Sequence, residues 1–207
     1  MKTLFGIVLA AGVGRRMGGT KALIAIEGAT LVEHHVARLA EVGCTSIVVV
    51  ARDAAADTVR RVVDKSREVR VLAVTTSSQA ESLAAGLGAL DAAGGTRDAV
   101  LIVTPVDMLP ASAETYRALL ACLEGSTLAV TPLYAGRGGH HVIVRRALLA
   151  PYEATMLGAL PSLREVLAHA RESRRRVEVD DPGVLGDFDT PSDLRALRFV
   201  NPREPAV

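Results

Sequence analysis

Two groups of residues in this chain have the types and spacing to handle a polyphosphate. The first is Leu9 to Lys21, LAAGVGRRMGGTK, where Gly12, Gly14, Gly18 and Gly19 are interleaved with Arg15, Arg16 and Lys21. Glycines let a backbone approach a ligand closely and adopt positive φ, so that successive N–H groups can form a concave nest for an anion. The three cations supply charge to match phosphate oxygens. The second group is acidic. Asp107 stands just past an apolar run that breaks at Pro105, and Asp187 and Asp189 alternate in Gly186-Asp187-Phe188-Asp189-Thr190-Pro191. Magnesium takes one or two protein carboxylates and completes its shell with water and phosphate oxygens. Asp107 with one of the other two therefore has the chemistry of a phosphate-bridging metal site.

Two common phosphate motifs do not fit the glycine loop. A Walker A loop needs Gly-Lys followed by Ser or Thr, whereas the order here is Gly19-Thr20-Lys21. The dinucleotide pattern GxGxxG fails because Met17 stands where the third glycine belongs. The plain structural roles of the acidic residues are also weighed. Asp107 lies too far before the helix beginning near Ser112 to cap it, and Ser112 is the better cap. Asp193 reads as a first-turn residue of a helix opened by Thr190-Pro191, favoured there by the helix dipole.

The elements that must position these groups alternate along the chain. Thr3 to Leu9, Ser46 to Val50, Val69 to Val74 and Ala99 to Thr104 are near-continuous apolar runs, as in parallel strands covered on both faces. Helical patterns lie between them at Thr30 to Val42, Ala54 to Ser66 and Ser78 to Ala92. Beyond Pro110 come a helix from Ser112 to Leu123, a strand from Leu128 to Tyr134, a glycine-rich turn at Gly136 to Gly139 and a short strand at His141 to Val144. Helices near Arg146 to Tyr152 and Leu163 to Ala170 precede a strand at Arg175 to Val179. This βαβα order predicts an α/β sandwich with right-handed crossovers, whose ligand crevice lies at the carboxyl ends of the strands. Both the glycine loop and Asp107 follow such ends.

Composition narrows the field. The chain has 207 residues, 49% of them hydrophobic, with 3% aromatic and no Trp. A large core follows without staples, and an aromatic stacking platform for single-stranded nucleic acid does not. With a formal net charge of +1, neither nucleic acid nor a membrane surface is an expected partner. The basic run Arg171 to Arg176 reads as a solvated helix end. Cys44 and Cys122 sit in no metal or redox spacing and read as small buried hydrophobes. His34 and His35 are expected to be partly exposed and His169 on the surface. No long apolar leader or membrane-length stretch is seen, so a cytoplasmic protein is expected, with residues 1–207 as one domain.

LAAGVGRRMGGTKALIAIEGATLVEH resembles the signature of the MobA-like NTP transferases: Leu-Ala-Ala-Gly-x-Gly-x-Arg-Met-Gly, a following Lys, and a Gly-x-x-Leu helix entry. The resemblance extends along most of the chain. It implies a three-layer α/β sandwich with a mostly parallel, Rossmann-like sheet of the nucleotide-diphospho-sugar-transferase type. By the same resemblance Leu9, Ala10, Ala11, Gly12, Gly14, Arg16 and Lys21 bind the nucleotide, and Arg16, Lys21 and Asp107 carry the catalysis. Arg15 falls at a variable position. Asp107 resembles the strand-borne metal aspartate, and the Asp187–Asp193 stretch resembles an Asp-x-Asp-Thr-Pro-x-Asp-Leu motif. Asp189 is preferred over Asp187 as the second Mg2+ ligand.

Within the family, Leu9-Ala10-Ala11-Gly12 and Ser82-Leu83 look like the molybdopterin cytidylyltransferase branch, which implies CTP, with Ser82 at the base or ribose or else capping its helix. The stretch Gly136 to Val142 resembles that branch's Gly-x-x-Gly-His-Pro-Val, with His140 as an acceptor contact and His141 in place of the proline. Pro161-Ser162-Leu163-Arg164 resembles its Leu-Arg helix start without the preceding acidic residue and glycine. Residues of about 130–180 would then bind the acceptor, and the N-terminal half the nucleotide.

The chemistry agrees with the residues. A phosphate monoester is a dianion near neutral pH, its second pKa being about 6, so it can attack the α-phosphorus without a general base, and none is evident. Alignment and charge neutralisation suffice. The leading reading is transfer of CMP from CTP to molybdopterin cofactor, with a molybdoenzyme as a further partner. Others are a nucleotidyltransferase using GTP and molybdopterin, or a sugar phosphate, phospholactate or isoprenoid-precursor phosphate. A third is a catalytically silent nucleotide-binding accessory of a molybdoenzyme, although a silent binder has no need of a full metal site.

Overall fold

The computed structural model describes residues 3–14, 17–63, 68–92, 98–153, 159–186, 188, 190 and 192–193. In chain order its elements are β1 (Leu4–Ala10), the two-residue strands β2 (Ala25–Ile26) and β3 (Ala29–Thr30), α1 (Leu31–Glu41), β4 (Ser46–Arg52), α2 (Asp53–Val62) and β5 (Val69–Val74). There follow α3 (Gln79–Asp91), β6 (Val100–Pro105), α4 (Ala113–Ala121), β7 (Ala129–Tyr134), β8 (Arg137–Gly138) and β9 (Val142–Arg145). The last are α5 (Ala150–Glu153), α6 (Leu163–His169) and β10 (Arg174–Glu178).

The main sheet runs β10-β7-β9-β6-β1-β4-β5, with β8 beside β7. β1 pairs in parallel with both β4 and β6, β4 with β5, and β7 with β10; β9 runs antiparallel between β6 and β7. This is the expected mostly parallel α/β sheet. The chain leaves β1 towards β4 and β5 on one side, then crosses to β6 on the other. A crevice opens where the strand order reverses in this way.

Both faces of the central strands β1, β4 and β6 are buried, for the reason these strands read as continuous apolar runs. On β1, Val8 and Ala10 enter a core completed by Leu31, Val36 and Leu39 of α1, Val59 of α2 and Tyr116 of α4. Phe5, Ile7 and Leu9 enter the opposite core with Leu83, Leu87 and Leu90 of α3 and Val166 of α6. Successive side chains of a strand alternate between faces, so an uninterrupted apolar run supplies two cores. Among the described residues, no helix is long and apolar enough to cross a membrane.

Local signals set the helix starts. Thr30 and Glu33 form a capping box, as do Ser162 and Glu165, while Ser78 and Ser112 accept from the third residue of their helices. Asp193 N donates to Thr190 Oγ1 and Thr190 N to Asp193 Oδ2, so Thr190 is a cap.

Four expectations need correction. His35 is fully buried, because its position on α1 faces the sheet. The 136–139 turn is instead centred on Ala135 and Gly136, both at positive φ, and Arg137 and Gly138 already belong to β8. The basic run 171–176 is not a helix end throughout: Arg174 already opens edge strand β10, and Arg175 and Arg176 lie in it, as the strand expected from Arg175 implies. Cys44 and Cys122 are only partly buried, although burial still pushes the Cys44 thiol up to about 12.

Candidate active site

A cavity of about 450 Å³ lies at the carboxyl ends of β1, β4, β5 and β6, lined by Leu9, Ala11, Gly12, Val13, Gly14, Lys21, Ser82 and Asp107 together with Arg52 and residues 76–79. The sheet order thus brings the glycine loop, Lys21, Ser82 and Asp107 to one space. Ala10 is not on its wall: alternation along β1 turns its side chain into the α1/α2 core, where it is buried. Arg15, Arg16, Asp187 and Asp189 lie outside the described residues.

The glycine loop has a fold of its own. The Gly14 carbonyl accepts from the N–H groups of Met17 and Gly19 at 2.9 and 3.3 Å, closing a tight turn. Gly14 has φ +61°, and a Cβ there would sit 1.8 Å from the Gly19 carbonyl oxygen, so any side chain would force the turn to open. Thr20 then leads into a single 3-10 turn that opens on Lys21.

Lys21 bridges three parts of the chain. Its Nζ donates to the Phe188 carbonyl at 2.6 Å, lies 3.6 Å from Asp107 Oδ2 and stands 5.5 Å from the Phe188 ring centroid. Its side chain is 12% exposed, whereas that of Asp107 is 46% exposed. A cation is therefore fixed at the floor of the cavity, and a carboxylate beside it reaches open space. Phe188 N donates to the Asp107 carbonyl, and Leu109 N to that of Gly186. The segment carrying Asp187 and Asp189 in sequence is in this way stitched to the turn carrying Asp107.

On the opposite wall, Ser78 caps α3, so Ser82 does not. Ser82 lies one turn further in, its Oγ donating to the Ser78 carbonyl at 3.1 Å and lying 2.7 Å from Thr76 Oγ1. Ser77 donates to Glu81 through both its N–H and hydroxyl, and these bonds hold the Glu81 carboxyl below the usual carboxylate range.

Arg52 is the wall residue that reading by motif missed. Its Nε donates to the Ala11 carbonyl at 3.0 Å and its Nη2 to the Thr76 carbonyl at 3.5 Å, tying the ends of β1 and β5 together. The signal was available. In a parallel sheet every strand's carboxyl end faces the crevice, and an arginine closing the apolar run SIVVVA belongs there.

A second hollow, about 170 Å³, shares Leu9, Gln79 and Asp107 with the first and is bounded by His140 and Leu163. His140 is exposed, while the adjacent His141 is buried. The preceding Gly139 passes close to neighbouring segments: a Cβ there would come within 2.8 Å of Pro132 Cγ and of the Val184 carbonyl oxygen. Among the described residues, no group of three or more His, Cys, Asp and Glu could cage a metal ion.

An open, mostly parallel sheet with a glycine loop, a lysine and a carboxylate converging at its switch point defines an α/β nucleotide-binding domain. Residues 6–177 match the model of the MobA-like NTP transferase domain, and the chain belongs to that nucleotidyltransferase family. Solved structures agree on the fold. A nucleotidyl transferase from Methanothermobacter, Mth528, is 22% identical with a TM-score of 0.76, over 97% of this chain and 98% of that one. Rv0371c of Mycobacterium tuberculosis in complex with manganese is 21% identical with a TM-score of 0.70, over 95% and 98%. The 4-diphosphocytidyl-2C-methyl-D-erythritol synthase of Anaerococcus prevotii is 16% identical with a TM-score of 0.74, over 96% of each chain. No curated protein matches the sequence.

Proposed function

We propose that this protein transfers CMP from CTP to the terminal phosphate of molybdopterin cofactor, releasing pyrophosphate. The observation that carries the reading is the meeting of Lys21 and Asp107, 3.6 Å apart, beneath the glycine loop in one cavity. In this reading the backbone of Gly12 and Gly14 with Arg16 and Lys21 holds the triphosphate, and Leu9, Ala11 and Ser82 border the nucleoside. His140, beside the smaller hollow, meets the acceptor, and residues of about 130–180 form that side of the site. An oxygen of the acceptor phosphate attacks the α-phosphorus, the bond to the bridging oxygen breaks, and pyrophosphate leaves with that oxygen. Lys21 is the cation placed to receive the charge that develops.

The donor set suits Mg2+, which needs few protein ligands: Asp107 is half-exposed into the cavity, and Asp189 is the proposed second carboxylate. When bound, the ion neutralises phosphate charge and orients the α-phosphorus. A manganese complex of Rv0371c supports a divalent-metal requirement. The choice of CTP rests on the Leu9-Ala10-Ala11-Gly12 and Ser82-Leu83 resemblances. Ser82 adds support: with its proton donated to the Ser78 carbonyl, its oxygen accepts from Thr76 and keeps one further lone pair, which suits the amino group of cytosine.

His141 in place of the branch's proline favours a second reading, with the same transfer made to another phosphorylated acceptor. Pyrophosphate release with Mg2+, each of the four NTPs and molybdopterin cofactor tests the first. Release selective for CTP is expected. Release only with a different acceptor would move the protein to the second reading, and turnover unaffected by metal removal would overturn both.

A further inference from the structure

Behind the turn that bears Asp107 lies a closed polar cluster that the proposed chemistry does not use. His35 of α1, Thr104 of β6, Tyr116 of α4 and His141, just before β9, are each fully buried. Thr104 Oγ1 lies 3.3 Å from His35 Nδ1 and 3.0 Å from His141 Nδ1, and Tyr116 Oη lies 3.0 Å from His141 Nδ1. The other ring nitrogens face outward from the cluster: His35 Nε2 is 2.9 Å from the Met108 carbonyl and His141 Nε2 is 3.1 Å from that of Leu109. A carbonyl only accepts, so each Nε2 carries its hydrogen and each Nδ1 is an acceptor. The hydrogens facing the two Nδ1 atoms come from the Thr104 and Tyr116 hydroxyls, with Thr104 Oγ1 within reach of both rings and Tyr116 Oη of His141. Burial lowers both imidazoles, His35 to about 3 and His141 to about 4, and keeps them neutral.

We propose that His35, Thr104, Tyr116 and His141 together form a positioning device for Asp107, fixing the turn so that its carboxylate meets the metal–nucleotide complex. The inference rests on Asp107 being a metal ligand, as in the proposed function. Two consecutive carbonyls, those of Met108 and Leu109, are held from the buried side. Val106 N donates to Leu9 O and the Asp107 carbonyl accepts from Phe188 N. The backbone on either side of Asp107 is thereby tied down while its side chain stays open to the cavity. Apolar residues in place of the imidazoles would leave those carbonyls buried and unsatisfied, and the turn would shift to find other donors. Hydrogen-bonded partners behind a metal ligand set its orientation, and losing one typically costs about 10–100-fold in metal affinity or activity.

The test is Mn2+ titration followed by electron paramagnetic resonance, on the intact protein with CTP and, in parallel, GTP, beside nucleotide affinity without metal and thermal stability. His35→Leu should weaken Mn2+ binding about tenfold or more and leave metal-free nucleotide affinity unchanged. His35→Gln, which keeps a donor for the Met108 carbonyl, should return within about threefold of wild type. Thr104→Val and Tyr116→Phe keep the packing and remove only a hydroxyl, so they test the cluster even if His35→Leu does not fold; each should weaken Mn2+ binding severalfold. Folded variants with a lowered melting temperature but wild-type Mn2+ affinity would reduce the cluster to core structure and overturn the proposal. Asp107→Asn separates the two levels: wild-type Mn2+ affinity there would remove Asp107 as a ligand and overturn the functional reading itself.

Discussion

Residues 11–21 and residues 104–109 face each other across one cavity, yet they are held by opposite means. The glycine loop has exposed residues at Gly12, Val13, Gly18 and Gly19, and its own turn closes on the Gly14 carbonyl. Arg52 steadies its first residues through the Ala11 carbonyl. The Asp107 turn is bonded from below by two buried imidazoles and from the side by Gly186 and Phe188. On the proposed function, the difference follows from what each would have to offer. Backbone N–H groups can settle around a phosphate as it arrives, whereas a carboxylate serving a metal must be within about half an ångström of its place beforehand.

Acid should separate the two regions most strongly. Burial is the main cause lowering His35 and His141, with Asp181 partly opposing it at His141. In the unfolded chain both histidines take up protons below their ordinary pKa of about 6.5, while the folded protein resists until about 4 for His141 and about 3 for His35. The unfolded state then binds more protons, so stability falls as pH falls through this window, by on the order of 1 kcal/mol per histidine per pH unit. Thermal unfolding between pH 7 and pH 4 should show this loss. A variant lacking either imidazole should show a shallower dependence, and an unchanged slope would contradict the buried, neutral assignment.

Asp107→Ala attacks the anchored side directly. It should lower metal-dependent turnover by about a thousandfold, or about 4 kcal/mol, with the melting temperature nearly unchanged, because the side chain is half-exposed. Turnover within tenfold of wild type would remove it as a metal ligand. On the facing loop, Gly14→Ala should cost about 2 kcal/mol of stability, from positive φ and the clash with the Gly19 carbonyl. Calorimetry reads the stability loss, and isothermal titration with NTP should show weakening of about tenfold. Gly12→Ala sharpens the contrast within the same loop. Nothing lies within 4 Å of a Cβ there, so stability should stay within about 0.5 kcal/mol, and any loss should fall on nucleotide binding alone.

The strands, the helices, their caps and the glycine loop were legible because each depends on residues a few positions apart. Apolar continuity marked β1, β4 and β6 as doubly covered, whereas β5 lies at the sheet edge and is only partly buried, and Ser112 announced its helix. The hairpin β2–β3 escaped because it is two residues per strand, turning on Glu27 and Gly28 at positive φ, too short for any period. His35 was misread because its neighbour His34 and the polar pattern of α1 hide one polar residue on the buried face. It is tolerated there only because Met108 and Thr104, from β6 and its turn, complete its hydrogen bonds.

Taken alone, the sequence determined the class of fold and the candidacy of residues 9–21 for phosphate binding and of Asp107 for a metal, since residue type and local spacing suffice for these. The tertiary structure decided which groups meet: Lys21 with Asp107 and Phe188, Arg52 across Ala11 and Thr76, and the quartet behind the Asp107 turn. Those contacts depend on the order β6-β1-β4-β5. That order is selected by burying both faces of the whole sheet at once, and no local pattern carries it.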